Sequence, residues 1–181
     1  MNNRGQMYLI ASVIIISLVA ALLTVSNYSK KINPIEIYKL GEELEIESAS
    51  LLEYGTAQNF DNTEMHDLMS LFIEEYIDYS DIERLYFIFG NETDITFGGY
   101  HEFIEEEVSL KIGDAAPVTI DIPQDDYIEA DFPGLSANQK VKINTSDLNY
   151  EFELREGENF YFVLSQEVDQ EHYVVSGGNK D

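Results

Sequence analysis

The sequence predicts an α+β protein with an N-terminal transmembrane helix, a two-helix segment and then an antiparallel β-sheet domain. Three observations predict it. Residues 7–25 form an uncharged run, apolar residues recur at helical spacing up to residue 79, and from residue 82 onward they recur at every second position. Helices that precede the strands, and do not alternate with them, are typical of α+β proteins.

The uncharged run predicts the first element. Eleven residues within 7–25 are Leu, Ile or Val. A helix of this length is about 28 Å long, close to the roughly 30 Å thickness of the hydrocarbon layer. We therefore expect a transmembrane helix over residues 7–26, behind a basic tip at residues 1–6. The alternative is a secretory signal peptide, whose shorter apolar core and small-residue cleavage site fit less well.

The distribution of charge predicts the orientation. The formal net charge is −25, from 35 acidic and 10 basic residues, and every acidic residue follows the uncharged run. Such a surface repels nucleic acid and anionic lipid heads. We expect a single pass of the cytoplasmic membrane, with the lipid bilayer as partner, no nucleic acid bound and the C-terminal domain outside the cell. The acidity fits either a saline habitat or bound cations.

Two amphipathic helices are predicted after a linker at residues 27–33. Pro34 suits the first turn of a helix that extends to about Asn59, with a stripe of apolar and small residues along one face from Ile37 to Gly55. A second helix is expected to begin at Asn62 or Thr63, either of which can cap it, and to end near Tyr79. We expect the two helices to pack as a hairpin.

Alternating apolar residues predict five to seven strands, within an acidic domain that spans residues 34–175. Segments 148–154 and 160–164 flank Glu156-Gly157-Glu158 and predict a β-hairpin. Gly98-Gly99 predicts a turn, and residues 124–139 predict a long acidic loop. Residues 176–181 are expected to form a disordered tail.

The extreme N-terminus, Arg4-Gly5-Gln6-Met7-Tyr8-Leu9-Ile10, runs directly into the apolar helix. Over about the first 25 residues, the chain resembles archaeal type IV pilin-like proteins with class III signal peptides. The resemblance implies that a leader peptidase cuts between Gly5 and Gln6. It also implies that the helix is retained and self-associates in a filament core, with the globular domains outside. Many members have glutamate at the fifth mature position, where this chain has Ile10.

No motif for catalysis or for a cofactor is present, so we expect no enzyme and no cofactor. The chain has no cysteine and lacks zinc, phosphate-loop and serine-elbow spacings. We expect His66, His101 and His172 to be exposed surface histidines. Glu105-Glu106-Glu107 is expected to be a solvated strand edge.

Two further sets of residues are candidate sites. The weak calcium candidates are Asp121, Asp125, Asp126, Glu129 and Asp131, because Ca²⁺ takes carboxylate oxygens. A solvated acidic loop without metal is the alternative for these residues. The N-x-[ST] sequons at Asn27, Asn91 and Asn144 are candidate N-glycosylation sites.

The sequence therefore predicts a pilin-like, membrane-anchored cell-surface protein. We expect it to be a subunit of a type IV pilus-like filament that acts in surface structure or adhesion. The alternative is a single-pass anchored extracellular binding or sensor domain that is neither cleaved nor assembled. The mature N-terminus separates them, because processing leaves Gln6 first and a plain anchor keeps Met1.

Overall fold

A computed structural model describes residues 34–80, 82–136, 138–168 and 171–178, all within the compact unit Pro34–Asp181. Two helices come first, α1 (Pro34–Gln58) and α2 (Asn62–Tyr79). Nine strands follow them within these described ranges. The strands are β1 (Arg84–Gly90), β2 (Ile95–His101), β3 (Glu106–Ile112), β4 (Val118–Ile122), β5 (Asp126–Phe132), β6 (Lys140–Asn144), β7 (Asn149–Glu153), β8 (Asn159–Val168) and β9 (Glu171–Gly178).

The strands form two antiparallel sheets. The five-stranded sheet has the order β5-β2-β1-β8-β9, and the four-stranded sheet has the order β4-β3-β6-β7. One core joins the facing sheets, and a second core joins the five-stranded sheet to the helices. The described domain therefore has three layers, with the helices on one side and the four-stranded sheet on the other.

Strand β1 lies at the centre of the five-stranded sheet and is covered on both faces. Leu85, Phe87 and Phe89 pack toward the helices, while Tyr86 and Ile88 pack toward the second sheet. A strand buried on both faces needs apolar side chains at successive positions, which explains the unbroken run from 85 to 89.

The two helices lie where the sequence predicts them. The N-cap of α2 is Asp61, one residue earlier than expected, and it forms a capping box with Glu64. The Tyr76 hydroxyl donates to the Leu40 carbonyl oxygen at 2.7 Å, which ties α2 to α1. Ser80 ends α2 by donating its N–H to the Tyr76 carbonyl.

The predicted fold class needs correction in two respects. The β part consists of two sheets, not one. Among the residues that the structure describes, no helix has both the length and the apolar character of a membrane span. Residues 7–25, on which the transmembrane helix was predicted, lie outside the described ranges. The single-pass location in the cytoplasmic membrane is therefore not supported.

The predicted hairpin between residues 148–154 and 160–164 is wrong. Strand β7 pairs with β6, whereas β8 pairs with β1 and β9, so the two strands belong to different sheets. The connection from β7 to β8 crosses between the sheets, and the Asn159 side chain stabilises it. This side chain accepts from the Arg155 N–H at 2.8 Å and donates to the Gly157 carbonyl at 2.9 Å. In two facing sheets, every second side chain of each strand points into the shared core. A connection between the sheets and a hairpin within one sheet therefore show the same alternation of apolar and polar residues.

Three segments predicted to be irregular are strands. Gly98-Gly99 lies inside β2 and is not a turn, and residues 126–132 of the predicted acidic loop form β5. Strand β9 runs to Gly178, so residues 176–178 of the predicted tail belong to the sheet. Gly99 leaves room for the Ile122 side chain from the facing sheet, which explains a glycine in the middle of a strand.

Candidate functional site

The five carboxylates predicted as weak calcium candidates do not form one group. Asp121 lies on β4 in the four-stranded sheet, whereas Asp125, Asp126, Glu129 and Asp131 lie on or next to β5 in the other sheet. Within the part of the chain that the structure describes, no group of three His, Cys, Asp or Glu side chains is placed to hold a metal ion.

A cleft of about 700 Å³ opens between the second half of α2, the end of β2 and the start of β5. Five carboxylates and three phenols line the cleft, and none of its described lining residues is basic. The lining consists of Glu74, Ile77, Asp78, Tyr79, Ile82, Tyr100, Glu102, Asp125, Asp126 and Tyr127. Such a surface attracts cations and repels anions.

Tyr100 lies among the carboxylates of this cleft. Its hydroxyl donates to Asp125 Oδ1 at 3.3 Å. Burial, together with the charges of Asp125, Glu102 and Asp78, raises the pKa of Tyr100 to about 12. The phenol therefore stays protonated at neutral pH and can donate a hydrogen bond, but it does not act there as a base.

His66 joins α2 to the edge strand β5. Its Nε2 atom lies 3.5 Å from Glu129 Oε2 and 3.7 Å from Asp131 Oδ1. Asp131 also accepts from the Thr96 hydroxyl at 2.7 Å, and the His66 ring packs on Phe89 with centroids 5.3 Å apart. His66 is thus half-buried, so the prediction that it is exposed is wrong, whereas His172 is exposed, as predicted.

His101 is fully buried, so the prediction of an exposed histidine is wrong. The Tyr86 hydroxyl lies 2.6 Å from His101 Nε2 and 2.5 Å from Glu106 Oε2. Nε2 and Oε2 are themselves 3.1 Å apart, and the Ser146 hydroxyl donates to Glu106 Oε1 at 2.9 Å. Glu106 is not a solvated edge residue, because β3 lies between β4 and β6 and the side chain is only 7% exposed.

Burial determines the protonation of this network. It lowers the pKa of His101 to about 4, although the Glu106 charge acts in the opposite direction. Burial and the hydrogen bond to Glu106 raise the pKa of Tyr86 far above its ordinary value. At neutral pH, Tyr86 therefore donates to the Glu106 carboxylate, and the geometry assigns the single His101 proton to Nε2. The opposite ring atom, His101 Nδ1, is buried and has no hydrogen-bond partner among the residues that the structure describes.

A second polar link joins the two sheets at the same end. Arg84 Nη1, on β1, donates to Asp147 Oδ2 in the β6–β7 turn at 2.9 Å. Burial acts to raise the pKa of Asp147, but hydrogen bonds from Thr145 and Arg84 keep it below its usual value. Arg84 pairs with His101 in the β1–β2 register. The Arg84–Asp147 ion pair therefore lies next to the network of Tyr86, His101 and Glu106.

The remaining predicted sites are spread along the chain. Gly5, Gln6 and Asn27 lie outside the described residues. Asn91 lies in the β1–β2 turn, where its Oδ1 atom accepts the backbone N–H groups of Thr93 and Asp94. Asn144 is the last residue of β6.

The network of Tyr86, His101 and Glu106 was missed from the sequence. One signal was available, because a tyrosine hydroxyl inside the apolar run 85–89 needs a buried partner. The partners were not identifiable, since they come from β2 and β3 and depend on the packing of the two sheets.

Comparison with known proteins assigns no family. No family model, no curated protein and no solved structure matches the chain.

Proposed function

We propose that the chain is a pilin-like filament subunit whose acidic domain acts in surface structure or adhesion, by binding and without catalysis. The observation that carries the proposal is the sequence Arg4-Gly5-Gln6 directly before the uncharged run at residues 7–25. A leader peptidase of the class III type needs this order of a basic residue, a small residue and an apolar helix. Cleavage before Gln6 would leave the apolar run at the mature N-terminus, available for contacts between subunits.

The described domain supports a subunit with an independent head. Its two cores are formed by residues between Ile37 and Val175, with helices on one side and a second sheet on the other. A domain that closes its cores from its own residues can be carried on a separate assembly segment.

Helix α1 adds a second line of support. Ile35, Tyr38, Ile46 and Tyr54 are each more than half exposed, although they are large apolar or aromatic residues. Where exposed side chains of this kind form one continuous patch, that patch marks a surface that another protein covers. A neighbouring subunit in a filament would bury them.

A second candidate function is that of a binding domain that is neither cleaved nor assembled. The acidic cleft favours it, because carboxylates and phenols around one cavity suit a cationic group. It differs from the filament proposal in its N-terminus, which would remain Met1.

The test is expression of the full chain in a host with an active class III leader peptidase, followed by intact mass measurement. We expect the mature chain to begin at Gln6. Gly5→Leu should block processing, whereas the matched variant Asn3→Ala should be processed normally. Filaments sheared from these cells should contain the chain only when residue 5 permits cleavage.

Two outcomes contradict the proposal. One is a chain that begins at Met1 although the peptidase processes another substrate in the same cells. The other is a correctly processed chain that is absent from the sheared filaments.

A further inference from the structure

The connection between β2 and β3 carries the chain from one sheet to the other. It comprises residues 102–105, and Phe103 and Ile104 within it are exposed. His101 directly precedes this connection and Glu106 directly follows it. Their contact, 3.1 Å between His101 Nε2 and Glu106 Oε2, brings the two ends of the connection together. Tyr86 bonds to both, so three residues on β1, β2 and β3 meet at one point between the sheets.

Three charged groups in the described part of the chain act on His101. Glu106 on β3, Arg84 on β1 and Asp147 in the β6–β7 turn act on its ring, together with the Tyr86 hydroxyl. Gly99, two residues before His101 on β2, lies against Ile122 of β4 and pairs with Ile128 of β5, and both side chains are apolar. The ring therefore forms its polar contacts at Nε2, and within the described ranges its Nδ1 atom has no hydrogen-bond partner.

A second proton on His101 would have to go to Nδ1. The new N–H would be a buried donor without an acceptor, and leaving such a group unsatisfied is strongly unfavourable. Because no described residue accepts it, the new N–H can be satisfied only if the ring rearranges, which would disturb its contacts with Tyr86 and Glu106. Protonation of His101 therefore destabilises its contact with Tyr86 and Glu106.

We propose that Tyr86, His101 and Glu106 form an acid-sensitive clasp at the base of the β2–β3 connection, and that protonation of His101 opens this end of the sandwich. The proposal is independent of filament assembly, because it concerns only residues within the described domain. Opening would free the connection with its exposed Phe103 and Ile104.

The pKa of His101 in the open and closed states determines how pH affects the clasp, and over which pH range. In the open state His101 takes up a proton near its ordinary pKa of 6.5, whereas in the closed state burial lowers the pKa to about 4. The closed state is therefore fully favoured above about pH 6.5 and loses stability as the pH falls toward 4. The shift corresponds to a change on the order of a hundredfold in the opening equilibrium.

The test is hydrogen exchange of the full chain, kept in a mild non-ionic detergent, at neutral pH and near pH 4.5. After correction for intrinsic exchange rates, peptides covering residues 101–106 and 145–148 should lose protection on the order of a hundredfold. His101→Gln should remove this pH dependence, whereas His172→Gln, at an exposed site, should keep it. Equal pH dependence in the wild type and His101→Gln would overturn the proposal.

A second measurement applies even where His101→Gln does not fold. Long-range ¹H–¹⁵N spectra of histidine-labelled wild-type chain report the protonation of each ring nitrogen. We expect His101 to stay neutral at pH 6, with its proton on Nε2. A doubly protonated ring at pH 6 in the folded chain would refute the clasp.

Discussion

The ring of Phe87 lies over Gly98 on the neighbouring strand, in the space that a side chain at position 98 would fill. The two residues are direct partners in the β1–β2 register. Phe87 is fully buried and stacks on Phe89 and Tyr127 with ring centroids 5.9 Å apart. The glycine thus allows the aromatic layer beneath the helices to pack against the sheet.

Replacing this glycine should destabilise the domain. Gly98→Ala puts a methyl group into the position of the Phe87 ring, and overpacking of this kind costs about 1–3 kcal/mol. The free energy of unfolding, measured by urea denaturation with far-UV circular dichroism, should fall by that amount.

The matched control is the double variant Phe87→Leu with Gly98→Ala. Leucine vacates the crowded space, so the alanine should cost less in the Phe87→Leu background than in the wild type. Strictly additive effects would show that the ring does not oppose a side chain at position 98.

The start of α2 depends on Asp61. Its Oδ1 atom accepts the N–H groups of Thr63 and Glu64, each at 3.0 Å. Asp61→Ala should lower the free energy of unfolding by about 1 kcal/mol, because it leaves these donors without a side-chain partner. Glu75→Ala on the exposed side of the same helix is the control, and it should change stability much less. Equal effects would exclude a specific capping role.

Tyr100 should titrate late in the folded domain. Burial and Asp125 raise the pKa of its phenol to about 12, so folding stability from the neutral phenol should be lost as the pH rises from about 10 to about 12. Ring-proton NMR of specifically labelled tyrosine measures the pKa directly. Asp125→Asn should lower it toward 10, whereas Asp121→Asn, on the other sheet, should leave it unchanged.

Glu151 should titrate early. Hydrogen bonds from Lys140 and Lys142, each at 2.5 Å, lower the pKa of its carboxyl to about 2. Any stability from these exposed pairs is present above about pH 4.5 and is lost as the pH falls toward 2. Side-chain carboxyl ¹³C NMR should show the low pKa at low salt, and Lys142→Met should raise it. High salt should also raise it, because exposed pairs are screened.

The helices were predictable because their signals are local. The periodic stripe after Pro34 and the apolar face ending at Tyr79 reproduce α1 and α2 closely. The two-sheet arrangement was not predictable, because it depends on partners far apart in the chain. Leu154 shows this: it is fully buried at the point where the chain leaves one sheet for the other, and a hairpin would bury it equally well.

The buried network was hidden for a similar reason. His101 is followed by Glu102 and lies close to Glu105, which suggests an exposed, polar stretch. Its burial follows from the position of β2 inside the five-stranded sheet and from the facing strand β3. Charge in the local sequence therefore indicated the wrong environment for His101 and for Glu106.

The central position of β1 has a consequence for synthesis of the chain. Its uncharged run from Leu85 to Phe89 pairs on one side with β2, which is close in sequence. On the other side it pairs with β8, which is distant in sequence, so that Leu85 lies opposite Leu164. Such distant pairing slows folding. Until β8 has emerged from the ribosome, one edge of an apolar strand is open to aggregation, so this domain should rely on chaperones while it is being made.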